Sequence, residues 1–273
     1  MKHRLTNEKM HASATPSVSV LSISQATTAT FTDLYFQHTF LFFIQVGSKR
    51  VLCPINGELI GHAEDVMIFP PGSMVTMENR PVLGDDYRAT GVCFPRNMIK
   101  AVFSSKTTKS ESAGIQIVKA FAGQSLTILN TIQATLDDTE IPEPIRQHRL
   151  LEPLIWLKYN GIHLSPYEEE EPLSKVRRLI ETDLSHPWRS SEVAEHFAIS
   201  EATMRRWLTK SGQGFSKILK NTRLEHGLSL LQSTDIPISE IAFDCGFKAP
   251  SHFSDSFKKR FGIKPSEIRK LEG

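Results

Sequence analysis

The chain lacks any apolar run that could cross a bilayer. Its longest, Phe40 to Ile44, is five residues, against the roughly 20 that a spanning helix needs. The start, Met1-Lys2-His3-Arg4, is basic but no apolar segment follows it, so neither secretion nor membrane insertion is expected. Cysteine is scarce: Cys53, Cys93 and Cys245 are odd in number and share no paired spacing. That argues against a disulfide framework and for a reducing cytoplasm. Metal ligands are also thin, since His38 and His62 stand without a His-x-His pair and no cupin-enzyme metal site is expected. There is no nucleophile elbow and no glycine-rich phosphate loop, so the reading is a protein that is not an enzyme and holds no cofactor or metal.

What the chain does have is an uneven charge. The net charge is +2, yet Leu173 to Gly273 carries 17 Lys+Arg against 12 Asp+Glu, or +5, leaving −3 for the remainder. A polyanion partner for the C-terminal part fits this asymmetry.

The basic part also holds a duplication. Ser191-Glu192-Val193-Ala194 recurs 48 residues later as Ser239-Glu240-Ile241-Ala242, each followed by a short turn and a basic stretch. The pattern predicts two helix-turn-helix units, at 191–210 and 239–261. Ala194 and Ala242 are small enough for the steep helix contact, with Val193, Phe197, Ile199 and Met204 closing one core. Ile241, Cys245, Phe247, Phe253 and Phe257 close the other. Gly246 suits the sharp turn of the second unit, whereas Ala198 in the equivalent place must stay right-handed or be strained. Pro250 suits the first turn of a helix starting near Ala249.

Residues in the first two turns of each second helix can reach base edges in a major groove. In the first unit these are Glu201, Ala202, Thr203, Arg205 and Arg206; in the second, Lys248, Ser251, His252, Ser254 and Asp255, with Lys258, Lys259 and Arg260 placed for the backbone. Arg205 and Arg206 lie about 100° apart on a helix, so one reads DNA and the other braces the domain. Asp255 is an awkward neighbour for phosphate and is expected to pair with Lys258 or Lys259. Between the units, Phe215 to Gln232 has helical spacing, and roughly 18 residues span about 27 Å. The two reading helices can then sit about 34 Å apart, one DNA turn, on one face of the duplex.

From Val18 to about Val102 the texture is β: short runs such as Thr39 to Val46 and Val66 to Phe69, broken by Asn56-Gly57, Pro70-Pro71-Gly72 and Gly84-Asp85-Asp86. A small cupin-like barrel or jelly roll is expected, able to enclose a ligand or to be filled by its own side chains. Ala113 to Leu164 reads as helices, with Ile115, Val118, Phe121, Leu126, Leu129, Ile132 and Leu136 at three- and four-residue steps and a second face at Leu150 to Leu157. They cover the barrel, form a dimer seam through 113–160, or both. Residues 165–172, with four consecutive glutamates between prolines, read as a linker, and 1–17 as a mobile tail. The fold class is α+β: a cupin-like domain at 18–164 with flanking helices, then an all-α domain at 173–273.

The stretch Ile238 to Glu267, I-S-E-I-A-F-D-C-G-F-x-x-x-S-H-F-S-D-S-F-K-K-R-F-G-I-K-P-S-E, closely resembles the signature of the AraC/XylS transcription regulators. The first unit, S-E-A-T-M-R-R-W-L at Ser200 to Leu208, is more similar to the ToxT, Rns and RegA branch of enteric virulence activators. The resemblance covers about a hundred C-terminal residues. It implies a cytoplasmic, sequence-specific activator that binds double-stranded promoter DNA through both units and recruits RNA polymerase, with an N-terminal domain for effector binding or dimerisation. By position it assigns base reading to Thr203 and Arg205 or Arg206, and to Lys248, Ser251 and His252, and makes Arg223 a structural base. It also implies a small acidic effector, a carboxylate or bicarbonate. Lys49, Arg50, Arg88 and Arg96 are the basic residues able to pair with one, although each is expected on the solvated surface. An architectural, anti-silencing DNA-binding protein with little base specificity is the alternative.

Overall fold

The computed structural model describes residues 18–103, 114–119, 124–164, 171–209 and 211–269. The expected tail, most of the acidic linker, Phe121 and Lys210 lie outside these. Strands β1 (Ser19–Gln25), β2 (Ala29–Phe36), β3 (Thr39–Val46), β4 (Ser48–Cys53), β5 (Gly57–His62), β6 (Val66–Phe69), β7 (Ser73–Arg80) and β8 (Tyr87–Phe94) follow one another along the chain. Helix α1 (Arg96–Phe103) and strand β9 (Gln116–Val118) come next.

They form two antiparallel sheets, ordered β1-β8-β3-β6-β9 and β2-β7-β4-β5. The architecture is thus a two-sheet sandwich in jelly-roll order, one of the two forms the sequence left open, and the sheets do not close into a barrel. Alternation tells which face a residue takes but not which strand it pairs with, so the choice between the two was not legible. Two corrections follow. Residues 116–118, read as helical, pair with β6 as an edge strand, and α1 interrupts the part read as all strands.

The apolar run of β3 is explained by burial on both faces. Leu41 and Phe43 pack outward, with Val66 and Ile68, beneath α1, α2 (Gln124–Asp137) and α3 (Glu143–Tyr159), which bring Ile99, Phe103, Leu129, Ile132, Leu150, Leu154 and Leu157. The helices therefore cover the five-stranded sheet. Phe42 and Ile44 point inward between the sheets with Met67, Phe69, Val51 and Met77. Phe36, Phe40, Phe42 and Phe69 stack there with ring centroids 4.6 to 5.8 Å apart, and these side chains fill the interior.

The C-terminal part contains α4 (Pro172–Thr182), α5 (Ser190–His196), α6 (Glu201–Thr209), α7 (Phe215–Ser233), α8 (Ile238–Asp244) and α9 (Pro250–Phe261). Leu173, Val176, Ile180, Val193, Ala194, Met204, Leu208 and Ile218 make one core, which also takes Tyr35 from β2. The second core, Leu224, Leu228, Leu231, Ile241, Ala242, Cys245, Phe247, Phe253, Phe257 and Phe261, is continuous with the sandwich interior. Phe31 of β2 meets Phe261 edge-on at 5.4 Å. The two parts share apolar cores instead of touching only at a linker.

Among the described residues no helix is long and apolar enough to cross a membrane.

Candidate nucleic-acid interface

Helices α5 and α6 form the first helix-turn-helix unit, and α8 and α9 the second. Each needs a sharp turn, and the backbone supplies it with one left-handed residue. Gly246 has φ 74° and Ala198 has φ 52°. The first unit therefore places an alanine where glycine is at ease, a strained position of the kind that costs about 1–2 kcal/mol. At Gly246 space matters as well as angle. A Cβ there would stand 2.3 Å from the Leu184 carbonyl oxygen and 2.9 Å from the Arg223 guanidinium. Arg223 itself donates from Nε to the Leu184 carbonyl at 2.9 Å and from Nη2 to that of His186 at 2.8 Å. It ties α7 to the loop before the first unit, so the basic residue of the linking helix is a structural brace.

Ser200 precedes helix α6, and its Oγ accepts the Thr203 amide at 3.1 Å, a side-chain cap. Met204 and Leu208 face the core, which turns the opposite face outward. Ala202, Arg205 and Arg206 are exposed and Thr203 half-buried. Arg206 Nη2 donates to Thr203 Oγ1 at 3.2 Å, which orients its guanidinium on the surface. Arg206 lies about 200° from Met204, and Arg205 about 100°. Both are exposed, so the structure brings neither inward as a brace. Glu201 is exposed and accepts a hydrogen bond from Ser190 Oγ at 2.6 Å.

Helix α9 turns Phe253, Ser256, Phe257 and Phe261 inward. Lys248, Ser251, His252, Asp255, Lys258 and Lys259 are exposed, Ser254 half-buried. The His252 ring packs edge-on against Phe247 at 5.5 Å. The expected pairing of Asp255 with Lys258 or Lys259 is not found among the described residues, because all three side chains point to solvent. Arg260 also departs from expectation. It lies about 40° from the inward direction and is paired with Glu225 of α7, while its Nη2 reaches the Asp33 carbonyl at 3.2 Å. It is thereby unavailable to a DNA backbone.

Glu225 holds Arg177 of α4 as well as Arg260 of α9, so one carboxylate ties α4, which shares the core of the first unit, and the second unit to the helix between the units. Arg177 stacks on the Tyr35 ring at 4.9 Å, and the Tyr35 hydroxyl shares a hydrogen bond with Ser174. Asp33 sits in the bulge of β2, where the register shifts between Phe31 and Leu34 and Asp33 has φ 53°, and Tyr35 follows just after it. No local spacing in the sequence signalled this contact between parts.

A second polar link starts at Lys49, whose solvated placement is overturned: it is 0 % exposed. Lys49 and Val51 share the inward face of β4, and that alternation was the missed signal. Its Nζ donates to Asn79 Oδ1 at 2.6 Å and lies 4.6 Å from the Phe42 ring centre. Burial lowers its pKa from 10.5 to about 7. Asn79 Nδ2 then donates to Gln25 Oε1 at 3.0 Å, which also accepts from Gln232 Nε2 of α7 at 2.9 Å. The chain of amides runs from the sandwich interior to the helix between the two units. The other three basic candidates do not join Lys49. Arg50 pairs with Glu58 at 2.7 Å and Arg88 with Asp85 at 2.8 Å, while Arg96 is exposed at the start of α1.

Residues 193–271 match the profile of a helix-turn-helix domain family. The regulator YdeO of Shigella flexneri is 31% identical over 96 residues, which cover 35% of this chain and 38% of YdeO. The TCP pilus virulence regulatory protein of Vibrio cholerae is 26% identical over 110 residues, 40% of this chain and 39% of that one. The matched stretch thus spans less than two fifths of either relative. In overall fold the chain is similar to apo ToxT from Vibrio cholerae, at TM-score 0.68 and 15% identity, covering 93% of this chain and 97% of that one. It is also similar to ToxT with an unsaturated fatty acid bound, at TM-score 0.63 and 18% identity, over 92% and 93% of the two chains. The C-terminal part is therefore a helix-turn-helix domain, carried on a chain that shares the fold of ToxT.

Proposed function

We propose that the protein is a sequence-specific transcription regulator, an activator of virulence-type genes, that seats α6 and α9 in consecutive major grooves of promoter DNA. The observation that carries this reading is the pair of outward helix faces: Arg205 and Arg206 on α6, and Lys248, Ser251, Lys258 and Lys259 on α9, are all exposed. Their opposite sides close two cores held in one body by Glu225. The cations meet phosphate, and the side chains in the first two turns meet base edges. RNA polymerase is the protein partner the activator reading requires. A second copy docks through 113–160, where Leu126, Ile155 and Tyr159 are exposed on α2 and α3.

A small acidic effector belongs to the same proposal. Of the four basic candidates Lys49 is the one inside the sandwich, and its amide chain ends on α7. A carboxylate that drew Lys49 away from Asn79 would alter the link to the DNA-binding part.

Competition at physiological salt tests the reading. An unlabelled duplex lacking the site should fail to displace labelled promoter DNA from the full chain. Near-equal affinity for every AT-rich duplex, with steep salt dependence, overturns it and favours the architectural alternative.

A further inference from the structure

Helix α9 carries one acid on a surface otherwise suited to a polyanion. Its inward direction lies midway between Phe253 and Phe257, and Asp255 sits about 180° from that line. Ser251 and Lys258 lie within about 60° of Asp255 on the same outward face. Asp255 is exposed, in the second turn after the Ala249 cap. No ion pair or hydrogen bond ties it to Lys258, Lys259 or any other described side chain. A carboxylate at the middle of a groove-facing helix, left unneutralised by its own neighbours, repels phosphate unless a donor meets it.

We infer that Asp255 is a specificity-determining residue that accepts a hydrogen bond from the exocyclic amino group of cytosine. This rests on α9 entering the major groove. In that groove cytosine offers N4-H2 as a donor, whereas guanine offers N7 and O6 and thymine O4, all acceptors. Acceptor against carboxylate is repulsive, so guanine and thymine are rejected at that position as well as left unbound. Adenine also offers an amino group, but its own N7 acceptor lies beside it on the same edge. Cytosine carries no such acceptor and is the better partner for an oxygen that can only accept. Ser251, one turn earlier on the same face, can donate or accept and leaves the choice of base to Asp255.

The test is selection from a randomised duplex library by the full chain, with Asp255→Asn and Asp255→Ala beside the parent. The parent should select cytosine at one position of the half-site read by α9. Asp255→Asn, whose amide both donates and accepts, should shift that position toward adenine. Asp255→Ala should lose the preference there, about 5- to 150-fold in discrimination, and bind unrelated DNA more tightly because a negative charge is gone. Selection at the half-site read by α6 should stay the same in all three. If the parent selects a site and both variants select it unchanged, the role of Asp255 is refuted while DNA reading stands. If the parent selects no motif at all, the reading of α9 falls and this inference falls with it.

Discussion

Replacing Lys49 by Met removes a buried amine at nearly constant volume, and the structure sets both the sign of the effect and the pH at which it reverses. Lys49 is fully enclosed, and burial lowers its pKa from 10.5 to about 7 by disfavouring the charged form. Between those two values the unfolded chain binds the proton and the folded chain does not, so stability rises with pH across that window. Below about pH 7 the penalty is complete, about 5 kcal/mol at 1.36 kcal/mol per pKa unit. Methionine removes it but leaves Asn79 Oδ1 without its donor, which costs about 1–3 kcal/mol. The Lys49→Met protein should therefore be more stable than the parent by about 2–4 kcal/mol at about pH 6. The two should cross near pH 9, and at about pH 10 the variant should be the weaker by about 1 kcal/mol. Urea midpoints read by far-UV circular dichroism at the three pH values measure this. A variant destabilised equally at the acid and alkaline ends would refute the enclosed amine.

Four further expectations concern the DNA-binding part. Glu225→Ala leaves Arg177 and Arg260 buried without their carboxylate and should cost about 3–5 kcal/mol in urea unfolding; an unchanged midpoint would mean that the clamp does not hold the units together. Gly246→Ala should destabilise by more than about 2 kcal/mol, since its Cβ would overlap the Leu184 carbonyl and the backbone is left-handed. Ala198→Gly, at the equivalent turn, should be neutral or stabilising by up to about 1 kcal/mol, as relief of strain offsets added chain entropy. Arg206→Ala and His252→Ala should each weaken specific binding by about 1–3 kcal/mol at one half of the site without shifting the thermal midpoint, measured by fluorescence anisotropy with matched and unrelated duplexes.

The helix-turn-helix units were readable because everything that specifies them is local: a small residue at the helix contact, apolar residues three and four apart, and a turn residue between. Even there the sequence left open whether Ala198 would stay right-handed or be strained, and the turn takes the strained, left-handed form. Helix α1 has only a short local trace in the sequence, Ile99 and Phe103 four apart after Pro95. The sandwich was less readable, since whether β1 pairs with β8 and β2 with β7 depends on contacts 37 to 74 residues away. The joint between the parts was not legible at all. Asp33, Tyr35, Gln25 and Gln232 are ordinary residues in ordinary strands and a helix, and they acquire roles only when the fold brings β1 and β2 against α4, α7 and α9. For the same reason Arg260, one of three consecutive basic residues, could not be told from its outward neighbours until Glu225 was seen beneath it.

Hydroxyl-radical footprinting of the full chain on its selected duplex tests most directly the claim that two units engage DNA together. Two protected patches should appear about 10 base pairs apart along one face of the helix. A single patch, or protection with no helical phase, would contradict it.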